Sequence, residues 1–250
     1  MKNLLVAFSF AILGAMGTAE SAPYPVNEST CGSLYGMGIG PLDYQSAPGT
    51  NTIKLVESAH FTPGVESLTK GSTGTFGGDL DYTLRAYPNH YRALSAMSRL
   101  QFKEKKTQPY GARWPVACYF ERALRWRPND ANVKLVYGIH LFKDGKRKDS
   151  VEQLEQAISL GLDTGNAHYN LGLALFETGD LERSVQHAVR AYRLGFSLPA
   201  LKAKLQKAGK WPSPEEEERI AQSFTKDEVE APSPEKALPA IPDNSAAASN

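Results

Sequence analysis

The chain has 250 residues, a formal net charge of +1 and a 41% hydrophobic fraction. That fraction supports a real core, and the length bounds the protein at one ordinary domain with extensions or two small ones. After the N-terminal run, no segment is apolar enough to span a membrane as a helix, so no integral span is expected once a leader is removed, with an uncleaved N-terminal anchor as the alternative.

Residues 1–22 read as a secretory signal. Lys2 supplies the positive start, Leu4 to Met16 the apolar run, and Gly17, Ala19 and Ala22 the small residues that follow. Residues 23–88 form a Gly/Pro-rich arm. Within it, Ile53 to Phe61 has the pattern of a short strand or a helix start. Thr62-Pro63 with Glu66 predicts a helix opening at Pro63, because proline suits the first turn. Asp79 to Ala86 predicts a further short helix. A phrase recurs as Leu42-Asp43-Tyr44 and Leu80-Asp81-Tyr82. Cys31 lies in this arm and Cys118 in the body. An even pair in an exported chain is a disulfide candidate, with two separate buried thiols as the alternative.

From residue 89 onward the pattern is helical. Asn89 to Lys105 and Trp114 to Arg127 predict a first, degenerate hairpin over 89–130. Two copies of one module follow at 131–164 and 165–198. Their identities, thirty-four positions apart, include Asn132/Asn166, Gly138/Gly172, Leu141/Leu175, Phe142/Phe176, Gly145/Gly179, Ser150/Ser184, Ala157/Ala191 and Gly161/Gly195. A period of about 34 residues is the mark of stacked helical hairpins. In the second copy the helices run Asn166 to Glu177 and Leu181 to Arg193. Gly179 stops the first of them and Asp180 caps the second, with Gly145 and Asp149 in the same roles in the first copy. Glycine inside a helix costs up to ~1 kcal/mol, so Gly138 and Gly172 imply close approach of the paired helix. Pro199 to Lys210 predicts a capping helix with Leu201 and Leu205 on one face. Residues 211–250 carry nine acidic side chains against three basic ones, from Glu215 to Asp243. Beyond Thr225 their composition cannot bury enough surface to order itself.

The spacing Gly138…Leu141 and Gly172…Leu175, the second-helix alanines Ala123, Ala157 and Ala191, and Pro128 resemble the tetratricopeptide repeat family over about Asn89 to Lys210. The chain departs from that pattern at Leu162 and Phe196, where proline is common, and lacks an early tryptophan in the first helix. The resemblance implies an all-α fold: a right-handed superhelix of about three hairpins plus a capping helix, with an irregular arm. It also implies that the first helix of each hairpin lines a concave groove. The groove residues are then Asn132, Leu135, Ile139, Phe142 and Lys143, followed by Asn166, Tyr169, Asn170, Leu173, Phe176 and Glu177. Asparagines there can bond the backbone of an extended peptide, and aromatic rings supply apolar contact. The competing account is that Leu135, Ile139 and Leu173 pack between helices. Only Asn170 fits the set that grips a terminal carboxylate in that family, so such capture is not expected.

The reading that follows is an exported, non-enzymatic adaptor in the cell envelope, binding a protein or peptide partner. No cofactor, metal or nucleic acid is expected. His60, Glu66, Asp79, Asp81, His90 and Asp43 are metal-type ligands without the spacing of a known site. Two alternatives stay open: an enzyme or ligand-binding site between arm and repeats using His60, Asp79, Asp81 or His90, and a self-assembling structural unit.

Overall fold

The computed structural model describes residues 28–36 and 38–228, with side chains described from Thr30 to Phe224. The leader expected over 1–22 and the acidic extension past 228 lie outside the described residues. Twelve helices and no strand occur among the described residues: α1 (Glu28–Cys31), α2 (Asn51–His60), α3 (Pro63–Glu66), α4 (Phe76–Ala86), α5 (Tyr91–Glu104), α6 (Val116–Trp126), α7 (Ala131–Lys143), α8 (Arg147–Ser159), α9 (Gly165–Thr178), α10 (Leu181–Arg193), α11 (Ala200–Lys207) and α12 (Pro214–Glu228). The fold is all-α, as the helical periodicity requires.

The helices start where a short polar side chain can accept an orphan backbone N–H. Thr50, Thr62, Thr75, Thr164 and Asp180 each cap one in this way. Asp130 accepts from both Asn132 N and Val133 N at 3.1 Å. Ile53 to Phe61 is thereby helix, not strand. One expected cap is absent. Asp149 does not open α8; Lys146 occupies that position and makes no side-chain cap bond. Gly145 ends α7 two residues before α8 begins, so Asp149 falls inside the first turn. There its charge favours the helix dipole instead. Helix α6 begins at Val116, two residues after Trp114, because the residue before Pro115 is held out of helical geometry.

Pairs α7–α8 and α9–α10 are the repeated hairpins. A Cβ added to Gly138 would lie 2.6 Å from Leu154 Cγ and 3.2 Å from the Ser150 carbonyl oxygen. One added to Gly172 would lie 2.9 Å from Leu201 Cδ2 and 3.2 Å from the Ser184 carbonyl oxygen. The buried serines close the approach: Ser150 Oγ donates to Gly138 O (2.8 Å) and Ser184 Oγ to Gly172 O (2.7 Å). Each glycine is therefore a packing requirement, with Leu201 of α11 extending the stack beyond the last hairpin.

The same architecture runs backward through α4. Tyr87-Pro88-Asn89-His90 repeats Arg127-Pro128-Asn129-Asp130 at an offset of forty. The backbone exits alike, at φ −130°, ψ 84° for Tyr87 and φ −137°, ψ 86° for Arg127. His90 Nδ1 accepts Ala93 N–H (3.2 Å), as Asp130 accepts Val133 N–H. So α4 precedes α5 as α6 precedes α7, and α3 to α7 share one core that includes Val65, Leu80, Leu94, Phe120 and Leu141. Smaller cores join α7 to α9 and α9 to α12.

Candidate functional site

Counting from the N-cap places equivalent side chains on one face of the first helix of each hairpin. The second, fifth, ninth, twelfth and thirteenth positions after the cap are Asn132, Leu135, Ile139, Phe142 and Lys143 on α7. On α9 they are Asn166, Tyr169, Leu173, Phe176 and Glu177. Two of the expected groove residues are not available to a partner. Leu135 is 3% exposed and packs among Leu154, Ala167 and Leu171. Tyr169 is 5% exposed and its ring meets Phe196 at 4.4 Å. Both are wedges between successive hairpins, where close-packing takes the large side chains. Leu162 and Phe196, which replace the common proline, are their packing partners.

The others remain partly exposed. Asn170 Nδ2 donates to Asn166 O (2.8 Å) and Asn166 Oδ1 (2.6 Å), which leaves the Asn170 oxygen as an acceptor. The Asn132 side chain makes no hydrogen bond among the described residues. Phe142 lies under the Arg147 guanidinium at 3.9 Å and Phe176 under Lys204 Nζ at 5.3 Å. Both rings carry a cation on one face.

On α5 the same positions are Arg92, Ser95, Arg99, Phe102 and Lys103, and this face is already occupied. Residues 62–70, including α3, lie across it. Arg92 Nε donates to Glu66 Oε1 at 2.8 Å, and Arg92 Nη2 pairs with Glu66 Oε2. Arg99 Nη2 donates to the Glu66 carbonyl (2.6 Å) and Lys103 Nζ to the Leu68 carbonyl (2.8 Å). Val65 and Leu68 are buried beneath. Arm and body thus meet by side-chain capture of a carboxylate and two main-chain carbonyls. This set escapes a period of 34, since the first hairpin is offset by forty. The Pro-Asn dipeptides at 88–89 and 128–129 were the available signal.

The histidines and acids of the arm do not converge. His60 Nδ1 lies 3.2 Å from Asp79 Oδ1, and its ring stacks on Tyr82 at 4.0 Å. Asp79 also accepts from Ser72 N and Thr73 Oγ1, which holds its carboxyl below the usual range despite burial. Asp81 belongs to a second network. It accepts from Tyr119 Oη (2.6 Å) and pairs with Arg85. His90 belongs to a third. It is wholly buried, which lowers its pKa first of all, while its Nε2 faces Glu57 Oε1 at 3.1 Å. Tyr44 stacks on that ring at 3.9 Å and burial pushes its phenol up to about 12. Each tyrosine of the repeated Leu-Asp-Tyr phrase therefore stacks on a histidine. Among the described residues no group of three or more His, Cys, Asp or Glu is placed to hold a metal ion.

The arm is also covalently tied. Cys31 and Cys118 form a disulfide with Cα atoms 5.1 Å apart. The buried Arg122 Nη1 collects the carbonyls of Cys31, Gly32 and Ser33 at 3.0, 3.2 and 2.7 Å, and Arg125 Nη2 donates to Gly32 O (2.9 Å). Trp114 lies 4.3 Å from the Arg122 guanidinium. An intramolecular disulfide is consistent with a location outside the cytoplasm. Among the described residues, no helix is long and apolar enough to cross a membrane.

A further polar chain, partly buried, has no signal in the local sequence. Asp163 accepts from His168 Nε2 (2.6 Å) and pairs with Arg190, while His168 Nδ1 meets His187 Nδ1 at 2.8 Å. Phe224 of α12 sits edge-on to the His168 ring. Burial, then the His168 charge, pushes His187 down to about 3. The turn before α9 and helices α9, α10 and α12 build it, from Asp163 to Phe224, so no local pattern announces it.

No family model matches the chain, and no curated protein matches it. Among solved structures, the crystal structure of MamA is similar at 14% identity and a TM-score of 0.46, covering 68% of this chain and 98% of that chain.

Proposed function

We propose that the chain is a non-enzymatic protein-interaction scaffold, exported to an oxidising compartment, that holds an extended partner segment on the first-helix face of α7 and α9. One observation carries this reading. The equivalent face of α5 already holds a chain segment, residues 62–70, through a carboxylate and two main-chain carbonyls. On α7 and α9 the second and ninth positions stay partly open, offering Asn132, Ile139, Asn166 and Leu173, and Asn170 lies beside them, also partly open. Amide side chains can bond a peptide backbone without demanding a particular sequence, and the apolar residues supply the dry contact.

Photo-crosslinking tests the reading. A benzophenone amino acid placed at Asn132 or Asn170 of the exported chain should join one partner species. The same group at Gln186, exposed on α10, should not. Equal yields from the three positions would sink the groove assignment.

A further inference from the structure

The turn between α5 and α6 departs from the two turns that follow it. Gly145 and Gly179 close the later turns at φ 82° and 91°; the equivalent position here is Lys105, at φ 54°. A Cβ in the left-handed region is strained, and glycine is the residue local folding favours there. Lysine at this position works against the backbone, and such outliers gather where a side chain has another task. Lys106 follows it directly.

The rest of the turn lies against the start of α4 and adds Arg113 to the same corner. A Cβ on Gly77 would sit 2.3 Å from Tyr110 O, and one on Gly111 would sit 2.0 Å from Thr75 Oγ1. The start of α4, at Thr75 to Gly78, therefore abuts the loop bearing Tyr110 and Arg113. Tyr110 is 70% exposed. The acids of this corner already have partners: Glu104 Oε2 accepts Tyr110 N–H (2.8 Å), Asp79 accepts from Ser72 and Thr73, and Glu66 binds Arg92. Lys70, Lys105 and Lys106 have no carboxylate partner among the described residues.

We propose that this corner docks an acidic segment of a partner protein, with its carboxylates over Lys105 and Lys106 and the Tyr110 ring beside them. Charge complementarity selects that occupant. The three cations of this turn, Lys105, Lys106 and Arg113, fall short of the roughly six to ten phosphate contacts that carry nucleic-acid affinity. Tyr110 is the one large exposed apolar side chain of the α5–α6 turn, too little for a membrane-embedded face. The surface is separate from the α7–α9 face, so either assignment can fail alone.

The test is fluorescence anisotropy of a labelled glutamate octapeptide with the intact exported chain, against a serine octapeptide. The octaglutamate should bind, tighten as salt is lowered, and weaken at least tenfold in Lys105→Gly combined with Lys106→Ser. Lys105→Gly alone should melt no lower than the parent protein, since it relieves the left-handed Cβ. The proposal is overturned if the parent chain does not bind octaglutamate, or if the double variant binds it equally well. Tighter binding of phosphatidylglycerol vesicles or single-stranded RNA, lost in the double variant, would overturn it too. So would a lowered melting temperature for Lys105→Gly.

Discussion

Gly138→Ala puts two effects of opposite sign in competition. Alanine is favoured over glycine in a helix interior by up to ~1 kcal/mol. The new Cβ, however, would sit 2.6 Å from Leu154 Cγ and 2.9 Å from its Cδ2. Carbon atoms rest at about 3.5–4.0 Å, so Leu154 must retreat by roughly an ångström. It is fully buried in the core between α7 and α9, and overpacking of this kind costs about 1–3 kcal/mol. The clash wins, and the net expectation is a loss of about 1 kcal/mol, or roughly 2–4 °C in Tm for a domain of this size. Leu154→Ala alone should cost about 2–5 kcal/mol. In that background the nearest neighbour left is the Ser150 carbonyl at 3.2 Å, and Gly138→Ala should become neutral or stabilising. Urea unfolding of the two single variants and the double variant measures this reversal. If Gly138→Ala stabilised the parent chain as it would an open helix, close approach of α7 and α8 would not be the reason for the glycine.

His187 predicts a pH dependence. Its folded pKa of about 3 lies below the unfolded value near 6.5. The unfolded chain therefore binds more protons between those values, and stability falls as pH drops from 6.5 toward 3. At pH 5 this residue accounts for about 2 kcal/mol relative to pH 7.5, and His187→Gln should flatten the slope of unfolding free energy against pH; an unchanged slope refutes the assignment. Reducing the Cys31–Cys118 bond, which spans 87 positions, should cost about 4–5 kcal/mol on the loop-entropy account. A calorimetric melt with and without reductant reads that loss, and a shift within error would contradict it. Asp130→Ala removes the cap of α7 and one of the two acceptors of Asn89 Nδ2, the other being Asp43. The expected cost is about 1–2 kcal/mol, with faster amide exchange at Asn132 and Val133; protection equal to the parent chain would show the cap to be dispensable.

The helices were legible because their determinants are local. A cap reaches three residues and a helical contact three or four, so Thr62, Asp180 and the glycines at 145 and 179 could be read directly. Asp149 misled because acid in a first turn and acid at a cap look alike without the backbone. The link between α4 and the repeats is carried by Pro88-Asn89 and Pro128-Asn129, forty positions apart, so a period of 34 does not contain it.

Sequence alone determined that Leu135 and Tyr169 face the same side of their helices as Asn132 and Asn166. Only the tertiary structure decided that the first two are buried wedges and the others stay open, because exposure depends on what packs opposite. The same division holds for the arm. Thr62-Pro63 and Glu66 announced a helix, but its seat on Arg92, Arg99 and Lys103 spans more than twenty positions. Cys31 and Cys118 were a possible pair in the sequence and became a bond when α1 came to rest on α6. Periodicity is written in neighbours along the chain, whereas a site is made by neighbours in space.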